Sequence, residues 1–247
     1  MGHHFEAPQD AEFDADPDLV WQAIATGPGI NSWFMGRTEV ESGIAGAVRT
    51  AFGEHTPEHR VTTWDPPRRL TYESGQAPDG RRMAYEFLIE GRKQGSTSLR
   101  MVVSGFLPDD DWEAEYDAMT SGLHLFFRTL VEYVTHFPGR TAVPLTVFGP
   151  AVSNWEQIWP LVYRALGLPD QPAGGDPARF TGPDGVPIDA VVYHVNPDSV
   201  GLRTDTAMYR FVKGFNGPLV AMHHVFADIE PASAETAWHR WLDQQLT

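Results

Sequence analysis

The chain has 247 residues, 42% hydrophobic and 21% charged, with 33 acidic against 18 basic residues and a net charge of −15. That length and apolar content suit one large domain or two small ones, each with its own packed core. The acidic surplus argues against nucleic acid or an anionic membrane as partner, and the absence of cysteine excludes disulfides, thiolate catalysis and cysteine-bound metal centres.

The chain opens with an expected extended stretch up to Phe13. Asp16 and Pro17 then offer an N-cap and a proline at the first helical position, for a helix carrying Leu19, Val20, Ala23 and Ile24. A second short helix is expected over 30–35, with Trp33 and Phe34 aimed inward. From Arg37 the period changes to two, and strands are expected at 37–42, 47–52, 60–64, 70–74, 82–90 and 96–106, separated by glycine and proline turn signals. Met83, Tyr85, Phe87 and Ile89 share one face of their strand, the mark of a half-buried antiparallel element.

A long helix over 111–136 follows. Trp112, Tyr116, Met119, Leu123, Phe126, Phe127, Leu130 and Val134 recur at steps of three and four and form one broad apolar stripe. Phe137, Pro138 and Gly139 end it. The second half then repeats the order in smaller form. A strand at 141–148 precedes a helix opened by a capping box at Ser153 and Glu156 and closed by Gly167. After a Pro/Gly loop over 169–177, strands are expected at 187–195, 199–204, 207–214 and 219–227, with Asn216 and Gly217 as a tight hairpin turn. A final helix over 231–246 carries Ala234, Ala237, Trp238, Trp241 and Leu242 on its apolar side. Two α+β domains of one architecture are expected, 1–138 and 139–247.

The first half resembles the SRPBCC, or START-like, superfamily of Bet v 1-like helix-grip proteins, and within it the activators of heat-shock-protein ATPase. The residues that carry the resemblance are Val20 to Ala25, then Trp33 and Phe34, Gly43 and Gly46, the run from Val61 through Trp64, Asp65, Pro66, Pro67 to Leu70, and the strand from Ser96 to Phe106. The resemblance implies a helix-grip fold, a curved antiparallel sheet wrapped around the long C-terminal helix with a cavity between them. Relatives usually carry Gly-Trp in that helix where this chain has Gly122 and Leu123, so a cavity of altered shape is expected there. The second half resembles the fold only in its element order.

Several motifs are weaker than they first look. His55, Glu58 and His59 match a zinc-protease spacing that needs a helix, yet Pro57 and Gly53 place them in a hairpin loop. Adjacent histidines in a strand point to opposite faces, so His223 and His224 are expected to be one packed and one solvated, and His3 and His4 to behave similarly or fray. Asp109, Asp110, Asp111, Glu113, Glu115 and Asp117 read as acids stabilised at a helix start rather than a metal cluster. A spatially assembled acid/base pair, for example His124 with Glu86 or Tyr85, is left open, although a lone histidine beside the apolar stripe is more often structural than catalytic. Phosphate loops, nucleophile elbows and dinucleotide fingerprints do not occur.

The expected site is the aromatic wall of the first-domain cavity: Trp33, Phe34, Trp64, Tyr72, Tyr85, Phe87, Met101, Trp112, Tyr116, Met119, Leu123 and Phe127. Such a wall suits a small apolar or aromatic ligand bound without catalysis, oriented by Tyr72, Tyr85 or Tyr116. The resemblance keeps two alternatives open: a cyclase, aromatase or hydrolase using the same cavity, and a chaperone-type module with a protein partner or a homodimer. No metal or cofactor is called for. No apolar run approaches the ~20 residues of a membrane span, and the N-terminal residues lack a signal-peptide pattern, so a cytoplasmic location is expected.

Overall fold

The computed structural model describes residues 2–92, 95–108, 112–214 and 217–246. The chain folds as two compact units, Met1–Thr141 and Ala142–Thr247.

In the first unit, β1 (His3–Phe13) leads into α1 (Pro17–Ala25) and α2 (Gly27–Ile30). A meander follows: β2 (Arg37–Val40), β3 (Ala47–Ala51), β4 (Glu58–Asp65), β5 (Arg69–Ser74), β6 (Arg82–Gly91) and β7 (Thr97–Leu107). The helix α3 (Trp112–His136) closes the unit. The seven strands form one antiparallel sheet in the order β1-β7-β6-β5-β4-β3-β2. Its first strand pairs with its last over their whole length, from His3 opposite Leu107 to Phe13 opposite Thr97.

Local chemistry fixes the ends of these elements. Asp16 holds the N-cap position of α1 through its carbonyl, which accepts from the Leu19 and Val20 N–H groups, while its carboxylate makes no cap bond. The second helix differs from expectation, spanning 27–30 rather than 30–35. Thr26 Oγ1 accepts from Gly29 N–H and Pro28 occupies the first turn, so the start is set earlier. Asn31 caps the C-terminal end with its N–H on Gly27 O, while its Oδ1 accepts from Thr38 N–H at 2.5 Å and its Nδ2 donates to Thr38 O at 3.2 Å.

The apolar stripe of α3 is buried from Leu123 onward, with Phe126, Phe127, Leu130 and Val134 all under 9% exposed. Leu125, Thr129, Glu132 and Tyr133 are buried too, so the C-terminal half is enclosed beyond the stripe. Each large apolar side chain so buried contributes roughly 1.5–3 kcal/mol. Asp109, Asp110 and Asp111, read from sequence as acids opening this helix, lie outside the described residues.

The second unit holds β8 (Val143–Ala151), α4 (Trp155–Ala165), β9 (Pro177–Thr181), β10 (Pro187–Asn196), β11 (Ser199–Arg203), β12 (Ala207–Lys213), β13 (Pro218–Val225) and α5 (Pro231–Gln245). Its antiparallel sheet runs β8-β13-β12-β11-β10-β9, so again the first strand pairs with the last and the others form a meander. Both units are helix-grip domains of the α+β class. The strand β9 has no counterpart in the sequence reading; it is five residues long, with only Ala178 and Phe180 pointing to the core. Asn154, not Ser153, caps α4, its Oδ1 accepting from Glu156 N–H at 3.1 Å. Asn216, read as part of the hairpin turn, lies outside the described residues.

Candidate functional site

Directly opposed residues in an antiparallel sheet share a face, and the register therefore sorts the first sheet into two sides. Phe5, Ala7, Val103, Tyr85, Tyr72 and Val61 lie on one side, as do Met101, Phe87, Leu70 and Trp64. Phe5 on this face packs edge-on against Tyr116 of α3 at 5.9 Å, and Trp64 meets Trp21 of α1 at 5.2 Å. This is the gripped, inward face.

The twelve expected residues fall into three groups on it. Trp112 and Tyr116 sit at the start of α3, where Trp112 stacks on His3 at 3.9 Å. Phe34 packs on Phe126 at 4.8 Å, ten residues further along α3 and so about 15 Å away along the axis. Beside it Trp33 is 2% exposed and its Nε1–H donates to Ala23 O at 2.9 Å, tying α1 to the following turn. The third group stands on the sheet: Tyr72 and Tyr85 stack at 5.1 Å, with Phe87 6.0 Å from Tyr72. Phe87, Met101, Leu123 and Phe127 are buried, and Met119 is half-buried. Gly122 leaves open space, because a Cβ there would meet only Phe126 Cε2 at 3.9 Å.

The two tyrosines stand apart chemically. Burial pushes the Tyr85 phenol up to about 12, and raises that of Tyr72 as well, with the neighbouring Tyr85 adding to the effect. Both stay protonated donors across the physiological range. Among the described residues neither hydroxyl has a hydrogen-bond partner.

Sequence reasoning missed one member of this group. His59, assigned to a hairpin loop, stands in β4 opposite Ser74, and its ring lies edge-on to Tyr72 at 5.7 Å and to Tyr85 at 5.5 Å. Burial lowers its pKa, so the imidazole is neutral. The signal was its even spacing from Val61, which puts both on the inward face. The turn itself closes earlier, with Phe52 bridging His55. The segment is extended rather than helical, and among the described residues no three potential ligands are grouped to hold a metal.

The acid/base pairing suggested for His124 is not assembled. His124 is exposed, and Glu86 stands on the opposite face of the sheet from Tyr85, paired with Arg69 at 2.5 Å. A cleft of about 260 Å³ occupies that outer face, floored by Ala84 and Ser104 and rimmed by His4, Glu73 and Arg82. None of the twelve expected residues lines it.

In the second unit, the expectation of one solvated histidine is corrected: His223 and His224 are each 1% exposed. His223 faces the α5 side, 4.3 Å from Trp238, while His224 shares the other face with the buried Arg210, whose Nη2 lies 3.4 Å from His224 Nε2. His223 Nδ1 accepts from Arg210 N–H at 3.2 Å, which puts the ring proton on Nε2, where no partner stands among the described residues. Desolvation, aided by the Arg210 charge, lowers its pKa to about 3.

Residues 14–135 match the family described as Activator of Hsp90 ATPase homolog 1-like protein. No curated protein matches the chain. Among solved structures, protein MLL2253 from Mesorhizobium loti is similar at 21% identity and a TM-score of 0.46, over 53% of this chain and 96% of that one. The Aha1 dimer from Colwellia psychrerythraea gives 18% and 0.42, over 52% and 95%. The di-domain ARO/CYC protein BexL of the BE-7585A biosynthetic pathway gives 16% and 0.43, over 97% and 94%. Among the described residues no helix is long and apolar enough to cross a membrane. The match over 14–135 makes the first domain, with its helix-grip fold and aromatic inward face, similar to the activator of Hsp90 ATPase homolog 1-like family.

Proposed function

We propose that the first domain binds a small apolar or aromatic molecule between its sheet and α3, without catalysis. The observation that carries this reading is the stacked pair of phenols, buried Tyr72 and half-buried Tyr85, 5.1 Å apart on the inward face with neither hydroxyl partnered among the described residues. A ligand oxygen that accepts from these hydroxyls gains about 0.5–1.5 kcal/mol per hydrogen bond. Trp64, Phe87, Met101, Trp112, Tyr116, Met119, Leu123 and Phe127, with Trp33 and Phe34 behind them, form the apolar surroundings that such a ligand requires. A catalytic role has less support. A general base needs a partner to fix its tautomer, and among the described residues His59 has none.

The test is a thermal-shift screen of the full chain against uncharged apolar and aromatic molecules. A ligand specific for the folded state at 100 times its Kd adds about 2.7 kcal/mol of stability, a rise in Tm that is easily measured. A broad panel that leaves Tm unmoved overturns the reading.

A further inference from the structure

The inward face of the first sheet carries a chemical restriction that its outer face does not. Taking the register strand by strand, none of its inward positions is Arg, Lys, Asp or Glu. The charged residues of the strands all project outward, where Arg49 pairs with Glu41 and Glu58, Arg69 with Glu86, and Arg100 with Asp10. On α3, Glu113, Asp117 and Arg128 are exposed, Glu115 pairs with Arg81, and Glu132 with Arg128. The polar groups near the aromatic wall include the neutral hydroxyls of Tyr72, Tyr85 and Ser74 and the His59 imidazole. The two phenols are donors with no hydrogen-bond partner among the described residues, and no charged side chain of the sheet's inward face stands by to offset a negative charge.

Resting on the ligand-binding reading above, we infer that the site selects an uncharged aromatic molecule bearing an acceptor oxygen, such as an aryl ketone, and rejects carboxylates of the same shape. The aromatic preference follows from the rings: a planar ligand stacks or packs edge-on against Tyr72, Tyr85 and Phe87, which already adopt such geometries with one another. The oxygen accepts from the two phenols. A carboxylate would lose its hydration shell with no charge partner to replace it.

The test uses the full chain and three probes of one ring system: naphthalene, 2-acetylnaphthalene and 2-naphthoate, with binding read from quenching of intrinsic tryptophan fluorescence. The ketone is expected to bind most tightly, and the carboxylate at least tenfold more weakly than the ketone. In the double variant Tyr72→Phe/Tyr85→Phe the advantage of the ketone over naphthalene is expected to disappear. A carboxylate that binds as well as the ketone overturns the selection against charge. A ketone no better than naphthalene in the unmodified chain overturns the role of the phenols. If none of the three binds, the ligand-binding reading itself falls, an outcome distinct from either of those. The comparison of probes on the unmodified chain decides the matter even if the double variant does not fold.

Discussion

Tyr72 and Tyr85 occupy directly opposed positions on β5 and β6, their rings stacked 5.1 Å apart and 27° from parallel. Two phenols in that arrangement share one desolvated environment, and each holds its proton more tightly for it. Removing one hydroxyl breaks no hydrogen bond within the described residues. In the ligand-free chain Tyr72→Phe is expected to change stability by less than about 0.5 kcal/mol, below the worth of a typical hydrogen bond. Urea denaturation measures it, and a loss of about 1 kcal/mol or more would mean that the hydroxyl is bonded within the protein.

The buried hydroxyls of Thr38 and Thr50 give the opposite case, since they bond each other at 2.9 Å across β2 and β3. Thr38→Val or Thr50→Val alone leaves one hydroxyl stranded and should cost about 1–3 kcal/mol. The double variant, nearly the same in shape, should recover most of that loss. A double-mutant cycle of denaturation free energies provides the check. Additive losses would show that the two hydroxyls are not each other's main partner.

Acid sensitivity should concentrate on His223. Its folded pKa, about 3, lies below the ordinary 6.5. The unfolded chain therefore binds a proton that the folded chain refuses, and the stability from burying the neutral ring is fully present above pH 6.5. It is lost as pH falls from about 6.5 toward 3, at about 1.4 kcal/mol per pH unit. Protonation would also take the Nδ1 lone pair from Arg210 N–H and set a second positive charge near the guanidinium. In His223→Asn, whose Oδ1 can take over the acceptor role, the difference in stability from the parent should shrink steadily between pH 6.5 and 4. A difference that stays constant over that range would sink the assignment.

Gly122 sits inside α3 with open space where a Cβ would stand. Glycine in a helix interior costs about 1 kcal/mol relative to alanine. Gly122→Ala is thus expected to raise the unfolding midpoint by an amount of that order, with the urea m-value unchanged. A fall in the midpoint would show that the space beside Phe126 is smaller than its 3.9 Å separation indicates.

Much of the fold was legible because two periodicities are written into the chain. The three- and four-residue spacing from Trp112 to Val134 announces α3, and the alternation of Met83, Tyr85, Phe87 and Ile89 announces the inward face of β6. What escaped depends on context that a linear pattern does not carry. Residues 177–181 form a strand by pairing with β10, and at five residues, with only Ala178 and Phe180 buried, their alternation is too short to announce it. His59 looked like part of a turn because Pro57 stands two residues before it, although the turn had already closed between Phe52 and His55. Burial of His224 follows from enclosure of the second face of its strand, whereas alternation foretells only that one face is enclosed. The outer cleft arises where Ala84 and Ser104 meet across two strands, so it is a property of register.

The pairing of β1 with β7 also governs when the first domain can form. His3 finds Leu107 only after more than a hundred residues have been made, so the sheet cannot gain its edge strand while those residues remain within the ribosome. The second domain repeats the constraint, with Val143 opposite Val225. Pairings so distant in sequence are slow to close, because loop entropy must be met before the contacts reward it. During synthesis β1 therefore waits, an eleven-residue strand with unmatched backbone groups, until β7 emerges beside it. Its outward positions carry His4, Glu6, Asp10 and Glu12, and Pro8 interrupts the row of N–H donors; charge and proline are the features that discourage a waiting strand from pairing with another chain.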